Sequence, residues 1–146
     1  MTPIERITEL YETELPKLAV MLSHDEAIQY FERLFMNGNI ITVVENEELK
    51  GFIEFWKISY EQFGRLCANV TLDHSENLLS GPVCLITRMW ISPDERMSHT
   101  FYHLASQFLM RNKTAEHFAA MQFQKKHKPL QVYSRAEVLK HYKIKE

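Results

Sequence analysis

Short apolar runs and polar breaks alternate along this chain, and the pattern is sharpest between residues 81 and 110. The run Val83 to Ile91 follows a Gly81-Pro82 break and ends at Ser92-Pro93, which predicts a buried strand. Ser92-Pro93-Asp94-Glu95 then offers a cap serine, a proline suited to a first helical position and acids beyond it, so a turn opening a helix is expected. Phe101, Leu104, Ala105, Phe108 and Leu109 recur at helical spacing and give a helix over 98–110 one apolar face.

The flanking segments are read in the same way. Ile4 to Leu10 is too short for periodicity to separate a strand from the lead into a helix, and Glu14 to Leu22 carries Leu15, Leu18, Ala19 and Leu22 on one helical side. Ser23-His24-Asp25-Glu26 has capping-box spacing ahead of Ala27, Ile28, Phe31, Leu34 and Phe35, and Asn37-Gly38 suits a helix end. Ile40 to Val44 and Gly51 to Ser59 predict a hairpin around Asn46-Glu47-Glu48. Tyr60 to Gly64 is taken as a break, and the alternation of Leu66, Ala68, Val70 and Leu72 as a further strand. A strand over 117–123 and a last short helix capped at Ser134 complete the order. Helices and strands mixed in this order imply one α/β (α+β) domain over residues 1–146, with helices flanking a mixed, largely antiparallel sheet.

Composition adds two constraints. At 146 residues with 45% hydrophobic and 25% charged positions the chain can bury a core without disulfides or metal. No apolar run approaches the roughly 20 residues that span a bilayer, and the N-terminus has no apolar leader, so a cytoplasmic protein is expected. Cys67 and Cys84 lack a CxxC spacing and read as buried apolar residues in strands. From Arg111 onward, lysine and arginine outnumber the acids three to one. A basic surface of that kind, including Lys125, Lys126 and Lys128, can meet the phosphates of a cofactor or a nucleic acid.

With the element order in hand, Ile91-Ser92-Pro93, Arg96 and Leu104 resemble the GCN5-related N-acetyltransferase (GNAT) superfamily over most of Ile4 to Tyr142. In that family a strand ending Val-x-Pro leads through an Arg/Gln-x-x-Gly-x-Gly/Ala loop into a helix whose backbone N–H groups hold the acetyl-CoA pyrophosphate. The resemblance implies acetyl-CoA or another acyl-CoA as cofactor, with Arg96, Met97, Ser98, His99 and Thr100 as the residues facing it. It further implies Tyr133 as the acid that protonates the leaving thiolate and Glu54 as the strand carboxylate that receives the amine proton. The glycines are absent, their places falling on His99 and Phe101. Side chains there hinder the close approach of backbone to phosphate, which points to weak or absent acetyl-CoA binding and to a protein that works through recognition of a protein partner or small-molecule acyl acceptor. The alternatives are an unusual acyl-CoA-dependent N-acyltransferase and a nucleic-acid-associated protein using the basic C-terminal third.

Other chemistry has less behind it. His99 and His103 lie four apart with no third ligand nearby, so no metal is expected. Glycine patterns for nucleotide hydrolysis, dinucleotides or a serine nucleophile are missing. Glu54 and Tyr133 each have a plain structural alternative, an exposed hairpin face and a packing aromatic. Trp56 and Trp90 read as core. Arg88, a charge inside an apolar strand, requires a surface or a partner.

Overall fold

The computed structural model describes residues 1–15, 22–68, 70, 72–73, 75–95, 99–121, 131–134 and 136–137, with side chains at all of these but 95 and 131–133. The chain opens on a helix, α1 (Pro3–Thr13), whose start follows from Thr2 accepting the Glu5 N–H and from proline in the first turn. The ambiguity over Ile4 to Leu10 is thereby resolved as helix, while most of the helix expected over 14–22 lies outside the described residues. Helix α2 (His24–Met36) begins at the capping box predicted from the sequence, with Ser23 and Glu26 each accepting the other's backbone N–H.

The predicted hairpin is β1 (Ile40–Glu45) and β2 (Glu48–Ile58), joined through Asn46 and Glu47, both at positive φ (52° and 65°). After it the expectation of a strand fails. Tyr60–Cys67 is a helix, α3, started by a second capping box in which Ser59 and Gln62 satisfy each other's backbone N–H groups. Two orphan donors met at the first turn outweigh the alternation at 66–72. Cys67 is accordingly exposed at the end of α3, whereas Cys84 is buried in a strand as expected.

Strand β3 (Val83–Ile91) has the bounds predicted for it and is the middle strand of a five-stranded sheet ordered β1-β2-β3-β4-β5. The helix predicted over 98–110 is α4 (Thr100–Arg111), and β4 (His117–Ala120) and β5 (Gln131–Ser134) complete the sheet. Pairing is antiparallel except between β3 and β4, so the sheet is mixed and largely antiparallel, the expected α+β arrangement. Ser134 accepts the Glu137 N–H, but the remainder of the predicted last helix lies outside the described residues. So do Lys125, Lys126 and Lys128.

Each sheet face carries its own core. Ile7, Leu10 and Tyr11 of α1 and Phe31 and Leu34 of α2 pack on Phe52, Trp56 and Leu85, so Trp56 and Trp90 are core residues. On the other face Leu104, Phe108 and Leu109 of α4 cover Ile41, Ile53, Phe55 and Cys84, with the Phe108 ring edge-on to Phe55 and Phe118 at 5.0 and 5.6 Å. Gly51 permits the close seat of α4, because a Cβ there would lie 3.0 Å from Thr100 Cγ2 and 3.1 Å from Leu104 Cδ1. Gly81 is tighter still: a Cβ would fall 2.3 Å from the Ile58 backbone. No described helix is long and apolar enough to cross a membrane.

Candidate functional site

Strand β3 makes two departures from regularity, and both lie at its middle. Against β2 the register shifts between Glu54 and Phe55: Glu54 pairs with Arg88 and Phe55 with Ile86, leaving Thr87 as the extra residue of a bulge. Side-chain alternation changes phase there. Leu85 faces the α1–α2 core and Ile86 the α4 core, yet Trp90 returns to the first and Ile91 to the second. Thr87 and Arg88 therefore both reach Glu54.

The result is a buried polar cluster. Glu54 is 0% and Arg88 3% exposed. Glu54 Oε1 accepts from Arg88 Nη1 at 2.6 Å, from Thr87 Oγ1 at 2.6 Å and from Tyr30 Oη at 3.1 Å. Tyr30 Oη in turn accepts from Trp56 Nε1 at 2.8 Å. Glu54 Oε2 is buried with no hydrogen-bond partner. The Arg88 guanidinium also lies 5.3 Å from the Tyr11 ring centre and 5.9 Å from that of Phe31. Burial works to lower the Arg88 pKa, but the Glu54 charge and Tyr30 outweigh it and hold the guanidinium above its ordinary value. Burial, and then the Glu54 charge, push Tyr30 well above the usual phenol range. The charge that interrupts the strand thus has its partner, and Glu54 is interior, not the exposed hairpin face that is the plain alternative to a catalytic role.

The second departure is on the other edge of β3. Its parallel pairing with β4 covers only Val83 to Ile86 against His117 to Ala120, and a bond from Met121 N–H to Ile86 C=O at 3.0 Å closes the ladder. From Thr87 to Ile91 the strand runs on without β4 beside it. Among the described residues nothing pairs with that edge of β3, and alternation sets Met89, 45% exposed, on the α4 side of the strand. The start of α4 stands at the same end of β3: its cap residue His99 is exposed and makes no side-chain cap hydrogen bond. Thr100 is buried against Gly51 and Leu104, with its side chain turned into the sheet. Phe101 is half-buried, its ring edge-on to Tyr102 at 5.6 Å.

No protein-family model matches the sequence, and no curated protein matches it. Solved structures do. The chain aligns with the GphF GNAT-like decarboxylase, determined in complex with isobutyryl-CoA, at a TM-score of 0.50 and 10% identity, over 80% of this chain and 60% of that one. The chain has a GNAT-like fold. Similar to it as well are the loading GNATL domain of CurA from Lyngbya majuscula (TM-score 0.49, 11% identity, 86% of this chain and 65% of that one) and a predicted acetyltransferase from Clostridium acetobutylicum with acetyl-CoA (TM-score 0.46, 14% identity, 98% and 80%). The chain spans less than two thirds of the GphF and CurA chains.

Within this GNAT-like fold the residues singled out from the sequence fall in separate places. Of the cofactor loop, His99 and Thr100 stand at the α4 start, and Arg96, Met97 and Ser98 lie outside the described residues. Tyr133 is in β5 opposite Phe118, which pairs with Cys84, whereas Glu54 pairs with Arg88. That places their backbones roughly 13 Å apart along the strands and about 14 Å across them. Tyr30, Thr87 and Met89 were not singled out. Arg88 pointed toward the cluster, but which residues meet it depends on a bulge that no local pattern announces. His99 and His103 are both exposed, and among the described residues no group of histidine, cysteine and carboxylate is placed to hold a metal.

Proposed function

We propose that this protein binds an acyl-CoA and presents its thioester to an amine, the work of a GNAT N-acyltransferase, with Glu54 serving as a strut and not as the proton acceptor. The observation that carries the reading is that β3 runs on past its last pair with β4 and that α4 starts at this same end of the strand. A long, thin ligand arm fits along a strand edge, and the first turn of a helix suits the anionic end of such a ligand. Thr100 turns its side chain inward, toward Gly51. The bound cofactor would supply an acyl group already activated as a thioester. The chain's part is orientation, which brings an amine and a carbonyl into reacting geometry and removes much of the entropic barrier.

Glu54 is ill-suited to take a proton from an incoming amine, because its Oε1 is held by three donors and the whole residue is closed to solvent. The same observation, with Phe101 where the family places a glycine, favours a second reading in which the fold recognises a ligand or protein without transferring a group. Two measurements separate them. Calorimetry with acetyl-CoA at low salt is expected to show weak binding that Arg96→Ala reduces further, and absence of any binding would remove the first reading. Release of free CoA thiol in the presence of small amines supports transfer; binding with no release supports recognition alone.

A further inference from the structure

Strand β1 stands at one end of the sheet, and among the described residues its only strand partner is β2. The hydrogen-bond pattern identifies what lies along its outer edge. Asn39 C=O accepts from Phe55 N–H, so the backbones of 39, 41 and 43 face β2 and those of Ile40, Thr42 and Val44 face outward. Arg111 agrees with this assignment, reaching the outward carbonyls of Gly38 and Ile40 at 3.3 and 3.4 Å. The strand reads IITVVE, β-branched nearly throughout, and apart from Arg111 at its first outward carbonyls it has no proline, lysine or bulge on its own side to keep the edge from pairing. Exposed apolar side chains gather at both its ends. Val44 is 44% exposed at one, and Phe35 and Met36 on the last turn of α2 (43% and 86%) and Met110 beside Arg111 (57%) flank the other.

We propose that this edge is the interface between two copies of the chain, which set β1 antiparallel to β1 about a two-fold axis at Thr42 and so continue one sheet through both. That register matches outward residue to outward residue, with Thr42 opposite the partner's Thr42 and Ile40 opposite the partner's Val44. Charge selects a second copy as the occupant. Ile41 and Val43 pack on the α4 side, so alternation puts Glu45 on that face too. The pairing sets Glu45 opposite the partner's Asn39, beside the partner's Arg111, which comes from α4 on the same face. Symmetry repeats this contact at the far end, so each copy supplies one acid and one base.

Sedimentation velocity of the full chain across micromolar concentrations tests the proposal. A concentration-dependent dimer is expected. Thr42→Pro removes an outward N–H and leaves the β1–β2 ladder its bonds, so this variant should sediment as a folded monomer. Glu45→Arg and Arg111→Glu should each raise the dimer Kd by about tenfold or more, and the double exchange should restore it. Circular dichroism checks folding, and if Arg111→Glu unfolds, Thr42→Pro and Glu45→Arg decide the matter. A wild type that stays monomeric throughout, or a dimer indifferent to Thr42→Pro and Glu45→Arg, overturns the proposal.

Discussion

Replacing Arg88 by methionine leaves Thr87 and Tyr30 around a buried carboxylate that has lost its cation, since Glu54 has no access to solvent. Removing one member of such a pair costs about 3–5 kcal/mol, far more than a surface ion pair contributes. Urea unfolding of Arg88→Met and Glu54→Leu should each show that loss, and the double variant should recover most of it. A cost below about 1 kcal/mol for either single change would remove Glu54 as a strut. At the surface, His24 Nδ1 lies 2.5 Å from Glu12 Oε1 and links α2 to α1. The Glu12 hydrogen bond and charge raise the His24 pKa above 6.5. A group raised on folding adds stability that is complete below its unfolded value, so this increment is present below pH 6.5 and is lost as pH rises through the folded value. NMR titration of the His24 ring should show the raised value, and Glu12→Gln should return it to the ordinary one. Sequence alone marked Arg88 as a charge in need of a partner. It could not mark Tyr30 or Thr87, because a one-residue bulge decides which side chains share a face.

Elements were legible where two signals agreed. Val83 to Ile91 combined an apolar run with turn residues at both ends, and the capping box at Ser23 preceded a helical periodicity. They are ambiguous where signals compete: Ser59 and Gln62 have the same capping-box spacing, but the alternation beyond Leu66 favours a strand. Helix α3 has no fully buried residue, only Phe63 and Leu66 partly buried against the core, so its cap adds to a modest packing contribution. Ser59→Ala should cost about 0.5–2 kcal/mol, seen as faster amide exchange within Tyr60–Cys67. Helix α4 is held differently, by burial on the sheet. Leu104 is 0% exposed beneath it, and Leu104→Ala should cost about 2–5 kcal/mol by denaturant unfolding. An unchanged midpoint would show that the α4 core contributes nothing to global stability.

In the molecule as a whole, the bulge and the end of the β3–β4 ladder coincide. The bulge gathers Thr87 and Arg88 onto Glu54 at the point where the described β3–β4 ladder ends. Mixed order and a central strand–turn–helix unit made the GNAT-like fold readable from the chain. The end of the β3–β4 ladder at Ile86 was not readable, since no local pattern marks where a parallel pairing stops. If an acyl-CoA binds at this end of β3, ligand at 100 times its Kd should raise stability by about 2.7 kcal/mol. The most direct measurement is an amide NMR map of the wild-type chain titrated with acetyl-CoA. The account predicts shifts concentrated at Met89, Trp90, Ile91 and the first turn of α4, with β1 and α3 unmoved. Shifts confined to other surfaces, or none at saturating ligand, would contradict it.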